Sequence, residues 1–537
     1  MNNQDIDVTR DYHESTKLAY INLTNKPPLY KAYPGLADIT LPTDFAPPQT
    51  PTLEAVAGNP GEHSDELDLT ALARLLYFSA GVLHKRILPV AGEVHYRAAA
   101  SAGALYPVEV YAVTGGIPGL EAGVYHFTPD RFALTQLRSG DYRRELAAAA
   151  ARDDSQIAES PMTLVFTAMF WRSAWKYRIR SYRYCFWDAG TILANTLAVA
   201  RGGAGLPARL VTGFVDDEVN TLLGLDQERE AALCLVPVGI AGAARGETLL
   251  TTQASRQPLA TIKGQPTEGY EGEIEYPEII QAHAASCLAS REEVVGWRES
   301  AAEADSTGPR ETRETRAVSL RNAAQPESQA LGDSIAGRGS TRHFSRSNIS
   351  LEQFSAILDN STKQLPADFL AGETVSLVDP YIIVNAVEGL EPGAYYFSPL
   401  TRELELLKRG DFREEAGHLC FEQALGADSS AVVYFLADLD RILARYGNRG
   451  YRTAQLEAGV MAGNAYLCSH SLGLGATGMT FYDDDVTEFF SPHAVGKSMM
   501  FLVALGNTDK VNRVRPFRSK VGVLLDSLAR GAGKPAS

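Results

Sequence analysis

Two arginines and a serine suited to phosphate binding lie close together in one short segment. Arg338, Ser340 and Arg342 alternate with small residues just before a predicted helix at 350–358. Two guanidinium groups and a hydroxyl can bind phosphate oxygens, and arginine does so with paired hydrogen bonds. The same residues also fit a solvated basic turn. Residue type and spacing alone leave both interpretations open.

A lysine–tyrosine pair could carry out acid–base chemistry. Lys176 and Tyr177 are adjacent in the sequence. A lysine held away from water can lose its proton near neutral pH, and a neighbouring tyrosine can relay or donate a proton. The alternative is that Lys176 is an exposed helix residue within a basic cluster that continues with Arg178, Arg180 and Arg183.

Two segments of small residues could bring the backbone close to a flat ligand. The first precedes a predicted strand at 108–113 and consists of Ser101, Ala102, Gly103, Ala104 and Leu105. The second contains Gly475 and Gly478, whose N–H groups could donate to a ligand. The alternatives are a plain turn before the strand for the first segment and helix C-caps for the glycines. For Gly473 we prefer the C-cap.

These segments belong to two copies of one unit. The chain matches itself at an offset of about 270 residues, with the motifs in the same order, which indicates two fused domains and not a solenoid. The matching motifs are 123–127 with 393–397, 139–143 with 409–413, 180–184 with 449–453, and 188–190 with 457–459.

Strands and helices alternate in each copy. β-Branched and aromatic residues predict buried strands at 108–113, 163–169, 381–384 and 431–436. Helical patterns at 187–200 and 455–470 follow in the first and second copy, respectively. We therefore predict an α+β fold in which a central mixed sheet is covered by helices in each of the two copies.

Composition divides the chain into four segments. Residues 26–60 are rich in proline and predict an extended surface arm. Residues 298–329 are charged and nearly free of large apolar side chains, as linkers often are. The predicted segments are an N-terminal arm at 1–60, a first domain at 61–297, a linker at 298–329 and a second domain at 330–537.

Charge and composition exclude several classes of function. The formal charge of −15 disfavours nucleic acid and anionic membranes as partners. We find neither a secretory signal nor an apolar run long enough to span a membrane. The five cysteines lack CxxC spacing and the histidines lack metal-ligand spacing, so we expect neither disulfides nor a metal site. A reduced, cytoplasmic protein fits these features best.

Motifs of the first copy resemble a known enzyme family. In chain order they are Tyr96-Arg97, Ser101-Ala-Gly-Ala-Leu-Tyr-Pro107, Gly123-Val-Tyr-His-Phe127, Lys176-Tyr177 and Arg180-Ser-Tyr-Arg183. This combination resembles the SagB/ThcOx-type dehydrogenases, the azoline oxidases of the nitroreductase superfamily. The second copy is recognisable but more diverged.

The resemblance implies flavin mononucleotide (FMN) as cofactor, bound between two nitroreductase-like domains. Arg338, Ser340 and Arg342 of the second copy would hold the flavin phosphate, and Arg513 and Arg515 could complete that site. The glycines at 475 and 478 would offer N–H groups near N5 of the flavin.

The first copy would contribute the other half of the site. Its 101–105 loop would cover the flavin ring, and Lys176 with Tyr177 would supply acid–base chemistry. The second copy has Arg445-Tyr446 at the matching place, and arginine stays protonated. Because each copy lacks the other's half, we expect an intrachain pseudo-dimer with one composite flavin site.

The implied activity is FMN-dependent oxidation of thiazolines or oxazolines to thiazoles or oxazoles in a ribosomally made peptide. A cyclodehydratase would be the partner that forms the azolines, and further oligomerisation stays open. One alternative is another flavin oxidoreductase, such as a peptide Cα–Cβ desaturase or an NAD(P)H-dependent nitro or quinone reductase. Another is a flavin-free scaffold subunit of a peptide-modifying complex.

Overall fold

The computed structural model describes most of both copies. The described residues are 3–16, 26–58, 66–88, 92–151, 156–239, 259, 261–262, 273–302, 317–320, 325–370 and 376–508. Each copy forms one sheet with helices packed against it, and the sequential order of paired strands is the same in both. The predicted α+β class and the duplication are therefore confirmed.

The first copy, together with the arm, forms a six-stranded sheet and a separate hairpin. Its strands are β1 (Asp38–Thr40), β2 (Val82–Leu88), β3 (Gly92–Arg97), β4 (Val108–Thr114), β5 (Gly123–Thr128), β6 (Ala133–Ser139), β7 (Met162–Met169) and β8 (Glu230–Val238). The sheet order is β1-β6-β5-β4-β7-β8, and β2 pairs with β3. Its helices are α1 (Ile6–Ser15), α2 (Thr52–Ala57), α3 (Leu69–Ala80), α4 (Arg143–Ala149), α5 (Gln156–Glu159), α6 (Phe170–Tyr177), α7 (Ser181–Leu197), α8 (Asp216–Leu223), α9 (Pro277–Ala285) and α10 (Arg291–Ala302).

The second copy forms a seven-stranded sheet. Its strands are β9 (Ala317–Ser319), β10 (Asp379–Val384), β11 (Gly393–Ser398), β12 (Glu403–Arg409), β13 (Ala431–Ala437), β14 (Gly475–Gly478) and β15 (Ser498–Gly506). The sheet order is β14-β15-β13-β10-β11-β12-β9. Its helices are α11 (Leu331–Gly337), α12 (Leu351–Ser361), α13 (Arg413–Leu419), α14 (Ala424–Asp428), α15 (Leu439–Tyr446), α16 (Arg449–Ser471) and α17 (Asp483–Phe490).

The strand pairing differs in one respect from the prediction. All pairings between the named strands are antiparallel, whereas the sequence predicted a mixed sheet. Short loops join β4 to β5 and β5 to β6, and such short connections require antiparallel neighbours. Strands β4 and β7 are buried along their whole length, because both faces of the sheet are covered.

The two copies meet along the long helices α7 and α16, in which every residue is buried. Glycines let the two backbones approach closely. A Cβ on Gly459 would lie 2.9 Å from Cα of Trp187, and one on Gly463 would lie 3.0 Å from Cα of Thr191. Larger side chains would force the helices apart, which explains why glycines stand at these positions.

Two buried ion clusters join the copies reciprocally. Asp483, at the start of α17, accepts hydrogen bonds from Arg180 at 2.8 Å and Arg183 at 2.7 Å. The matching cluster at the start of α8 consists of Asp216, Arg449 and Arg452. In both clusters, arginines of one copy bind an aspartate of the other. Such reciprocity is the signature of a twofold interface, so the chain folds as an intrachain pseudo-dimer.

The predicted arm and linker contribute regular structure. The proline-rich segment at 26–60 contains α2, and its strand β1 joins the first sheet, so this segment is not simply extended as its composition predicted. Lys31 of the arm forms a buried ion pair with Glu230 at 2.6 Å. Helix α10 runs into the predicted linker, and β9 pairs with β12. Proline content shows where long helices are excluded, but it does not show which neighbours a segment contacts.

Candidate functional site

The loop of small residues folds directly over the lysine–tyrosine pair. It forms a short 3-10 turn between β3 and β4. A Cβ on Gly103 would lie 2.9 Å from Tyr177 Oη and 3.0 Å from Lys176 Nζ. The residues of this loop in the left-handed backbone region are Gly103, Ala104 and Tyr106. Since each non-glycine residue there costs roughly 1–2 kcal/mol, the loop is strained.

Lys176 and Tyr177 end helix α6, and burial shifts their pKa values in opposite directions. Burial lowers the pKa of Lys176, and the Arg342 guanidinium lowers it further. Burial raises the pKa of Tyr177, so its hydroxyl stays protonated at neutral pH. The Tyr177 ring is fixed by stacking on Tyr184, with 4.2 Å between the ring centroids. The lowered pKa favours proton acceptance by Lys176, whereas Tyr177 keeps its proton and can donate a hydrogen bond.

Arg342 of the second copy reaches the same place. Its charge acts on both Lys176 and Tyr177. Within the described ranges, neither Arg342 nor Lys176 has a hydrogen-bond acceptor. A guanidinium group without an anionic partner, as Arg342 is among these residues, favours the binding of an anion. Arg513 and Arg515, which were expected to complete the phosphate site, lie outside the described residues.

Arg338 and Ser340 lie beside β14. The Arg338 Nε donates to the Ala98 carbonyl at 3.0 Å, so this arginine of the second copy binds the backbone just before the small-residue loop of the first copy. Ser340 pairs with Ala476 through a parallel bridge, and its hydroxyl lies 3.3 Å from Tyr466 Oη. The structure thus brings the arginine–serine segment next to the glycine segment. The contact of Arg338 with Ala98 was not predicted from the sequence.

The glycine segment differs from its expected form. Gly475 and Gly478 are the first and last residues of β14, which pairs with β15. The Gly478 N–H already donates to Tyr466 Oη at 2.6 Å, so it is not free for a ligand as predicted. Gly473 has a φ of 77° and directly follows α16 and its C-cap residue, which confirms the C-cap interpretation.

The sequence analysis missed the contribution of Asp188, on α7. Its carboxylate accepts hydrogen bonds from Ser101 Oγ at 2.5 Å and from the Ala102 N–H at 3.0 Å. Burial raises the pKa of Asp188 to about 7. The available signal was the match between Asp188 and Glu457 in the repeat. Asp188 and Ser101 are 87 positions apart in the chain, so no local pattern indicated their contact.

At the pseudo-symmetric position, the first copy bonds to the second. The segment of the first copy that corresponds to β14 and the residues after it donate hydrogen bonds to residues of the second copy. Leu210 N–H donates to the Pro366 carbonyl at 2.7 Å. The Asp368 carboxylate accepts from the N–H groups of Thr212, at 2.8 Å, and Gly213, at 2.9 Å. These donors are therefore already paired.

One group of potential metal ligands occurs in the described residues, although the sequence predicted none. Atoms of Asp216, His283 and Cys287 lie within 4.8 Å of one another. The carboxylate of Asp216 is already bound by Arg449 and Arg452, whose positive charges oppose a bound cation. All five cysteines are free thiols. No helix in the described ranges combines the length and apolar character needed to cross a membrane.

Comparison with known proteins identifies the fold family. Both copies match the model of the Nitroreductase family, at residues 65–240 and 335–506. The chain is 31% identical over 176 residues to the nitroreductase-like protein MJ1384 of Methanocaldococcus jannaschii, and this match covers 33% of the chain and 82% of MJ1384.

Two further relatives are named for peptide processing. The Microcin B17-processing protein McbC of Escherichia coli is 30% identical over 137 residues, covering 25% of this chain and 50% of McbC. The Trifolitoxin-processing protein TfxB of Rhizobium leguminosarum bv. trifolii is 31% identical over 173 residues, covering 32% of this chain and 46% of TfxB. The matches thus span about half of each of these two relatives.

A solved structure extends the likeness to both copies at once. A nitroreductase-like protein from Anabaena variabilis superposes with a TM-score of 0.71 and is 25% identical, and the match covers 93% of this chain and 99% of that one. The reciprocal clusters and the shared sheet order agree with this match. The chain therefore belongs to the Nitroreductase family and consists of two fused domains of that family.

Proposed function

We propose that this chain is an FMN-dependent oxidoreductase that converts azoline rings of a ribosomally made peptide into azoles. The observation that carries the proposal is the meeting of Lys176, Tyr177 and the small-residue loop with Arg342 of the other copy. Similarity to proteins named for processing microcin B17 and trifolitoxin supports a peptide substrate. Membership of the Nitroreductase family supports redox chemistry.

The residues at this site fit FMN. Within the described residues, Arg342 has no hydrogen-bond acceptor and is suited to bind an anionic group such as a phosphate, and Ser340 could add a hydrogen bond. The small side chains of the loop would let its backbone contact a flat ring. When bound, FMN would accept a hydride from the azoline carbon.

The protein's own residues would manage the proton. Oxidation of an azoline also removes a proton from the neighbouring carbon, and Lys176 Nζ would accept it, a role favoured by the lowering of its pKa by burial and by Arg342. Tyr177 keeps its proton and would donate a hydrogen bond to the ring. The loop that contains Gly103 would limit the access of water to both side chains.

The substrate and partner follow from this chemistry. An azoline must be formed by cyclisation and dehydration of a cysteine, serine or threonine, so a cyclodehydratase would act first. The hydride removed from each ring would be carried by the cofactor, and its two electrons, with the hydride's hydrogen and the proton released from Lys176, would reduce dioxygen to hydrogen peroxide. Both thiazolines and oxazolines fit this sequence of reactions.

We expect one FMN in each chain. The Asp368 carboxylate and the Pro366 carbonyl pair with the backbone donors of the counterpart site, which supports a single composite site. Titration of the cofactor-free protein with FMN, followed by fluorescence quenching, should give an end point near one. An end point near two would refute this part of the proposal.

Mass spectrometry of azoline-bearing peptides tests the activity. The protein with FMN and dioxygen should remove two hydrogens from each ring. Lys176→Ala should lower the rate about 100-fold or more while retaining FMN, as expected for loss of a general base. The matched control is Arg445→Ala in the second copy, which should keep the rate within about twofold. Full activity of Lys176→Ala would remove this lysine from the mechanism.

An NAD(P)H-dependent nitro or quinone reductase is the second candidate. The similarity to MJ1384 favours it. In stopped-flow experiments, rapid bleaching of the bound flavin by NADPH and no change in azoline peptides would support this alternative. Slow bleaching, with rapid bleaching by the azoline peptide, would support azoline oxidation.

A further inference from the structure

A single buried carboxylate binds the start of the strained loop and is linked to its end through Ser101. Asp188 accepts hydrogen bonds from Ser101 Oγ and from the Ala102 N–H. Ser101 Oγ in turn accepts a hydrogen bond from the Tyr106 N–H at 2.8 Å. The chain of bonds therefore runs from the buried helix α7 through the start of the loop to its last residue.

The loop needs such anchors, because its backbone is unfavourable. Ala104 and Tyr106 have positive φ values of 54° and 50°, which side-chain-bearing residues rarely adopt. Conformations of this kind persist only where surrounding contacts impose them. Without its anchors, the loop would relax away from the lysine–tyrosine pair beneath Gly103.

We propose that Asp188 is a positioning residue that holds the 101–106 loop against Lys176 and Tyr177. Its effect on chemistry rests on the function proposed above, but its effect on the loop does not. A charged carboxylate is not required for this role, because an asparagine could accept from the Ala102 N–H and donate to Ser101 Oγ. The near-neutral pKa of Asp188 agrees with this view.

The duplication supplies a natural control. Glu457 occupies the matching position on α16, and its carboxylate accepts from the Leu377 N–H at 2.8 Å. Burial raises its pKa to about 8. The residues of the second copy that match the lysine–tyrosine pair are Arg445 and Tyr446. Each copy thus has a buried acid that binds the segment before its central strand, β4 or β10. Only Asp188 binds a loop that covers a lysine–tyrosine pair.

Hydrogen exchange followed by mass spectrometry tests the proposal without cofactor or substrate. In Asp188→Ala, amides at 101–106 should exchange about tenfold faster or more, since the loop loses two hydrogen bonds. Acylation of Lys176 by a small activated ester should accelerate by a similar factor. Asp188→Asn should stay within about threefold of the parent protein in both measurements.

Two further variants keep the test decisive. Glu457→Ala should speed exchange around 376–379 and leave the 101–106 amides and Lys176 unchanged. If Asp188→Ala fails to fold, Ser101→Ala should show the same local loosening. The proposal is overturned if neither Asp188→Ala nor Ser101→Ala changes the loop, or if Glu457→Ala changes it equally. If the parent protein does not oxidise azolines, the proposed function is contradicted, but the role of Asp188 in holding the loop is not.

Discussion

Replacement of Asp483 by alanine should destabilise the junction between the copies. Its side chain is only 4% exposed and binds Arg180 and Arg183. Alanine would leave two buried guanidinium groups without their anionic partner. Breaking a buried ion pair in this way typically costs about 3–5 kcal/mol.

The pKa of Asp483 gives a second measure of the interaction. Burial alone would raise this pKa, but Arg183 and Arg180 lower it from 3.8 to about 2. The difference of about 1.8 pKa units corresponds to about 2 kcal/mol, at about 1.36 kcal/mol for each unit. This is less than the expected cost of Asp483→Ala, because alanine also leaves the arginines unpaired.

The pKa also sets the sign of the pH dependence. A carboxyl group whose pKa is lowered in the folded state stabilises the fold fully above its unfolded pKa, and it loses this contribution as the pH falls through its folded pKa. The contribution of Asp483 should therefore be complete at pH 7 and fall by about half at pH 3. The stability gap between the parent and Asp483→Ala should narrow by about 1 kcal/mol.

Urea unfolding followed by circular dichroism measures these free energies at both pH values. Asp485→Ala is the matched control, because Asp485 lies on the same helix and is 47% exposed in its ion pair with His418. Exposed pairs contribute about 1 kcal/mol or less. If Asp483→Ala destabilises no more than Asp485→Ala at pH 7, the reciprocal cluster does not hold the copies together.

Further predictions concern the site itself. Gly103→Ala should lower FMN affinity and thermal stability, because it adds a Cβ near Tyr177 Oη to a residue with a φ of 64°. Gly389→Ala is the control, since Gly389 has a φ of 77° but open space around it, and it should show the cost of backbone strain alone. Equal effects in the two variants would contradict the predicted clash. Arg342→Ala should weaken FMN binding about tenfold or more in a fluorescence titration. It should also raise the pKa of Lys176 and move the alkaline rise of the pH–rate profile to higher pH, whereas Arg346→Ala should do neither.

The duplication could be predicted because it leaves a signal at a constant offset. Motif pairs such as 180–184 with 449–453 keep their order, and the two sheets match in turn. Helices α7 and α16 were predicted from apolar patterning, which depends on near neighbours in the chain. The meeting of Gly103, Lys176 and Arg342 agrees with the complementary halves expected from the sequence, and their roles stay predictions.

Other features depend on contacts between distant segments. The bond from Ser101 to Asp188 and the pairing of Asp368 with Thr212 join residues far apart in the chain, and no local pattern reports them. Whether the Gly478 N–H is free to bind a ligand depends on the position of the Tyr466 hydroxyl, which accepts its hydrogen bond. Strand direction likewise follows from the connections between strands, and side-chain alternation does not report it.

Fusion of the two copies changes what one amino-acid substitution can do. In a dimer of identical chains, every substitution occurs in both subunits and therefore in both sites. Here the two pseudo-symmetric positions already differ: Asp368 pairs with Thr212 and Gly213 at one, whereas Lys176 and Arg342 meet at the other. The covalent link also fixes the ratio of the two copies at one to one. Dilution can separate a dimer of independent chains, but it cannot separate the two copies of this chain.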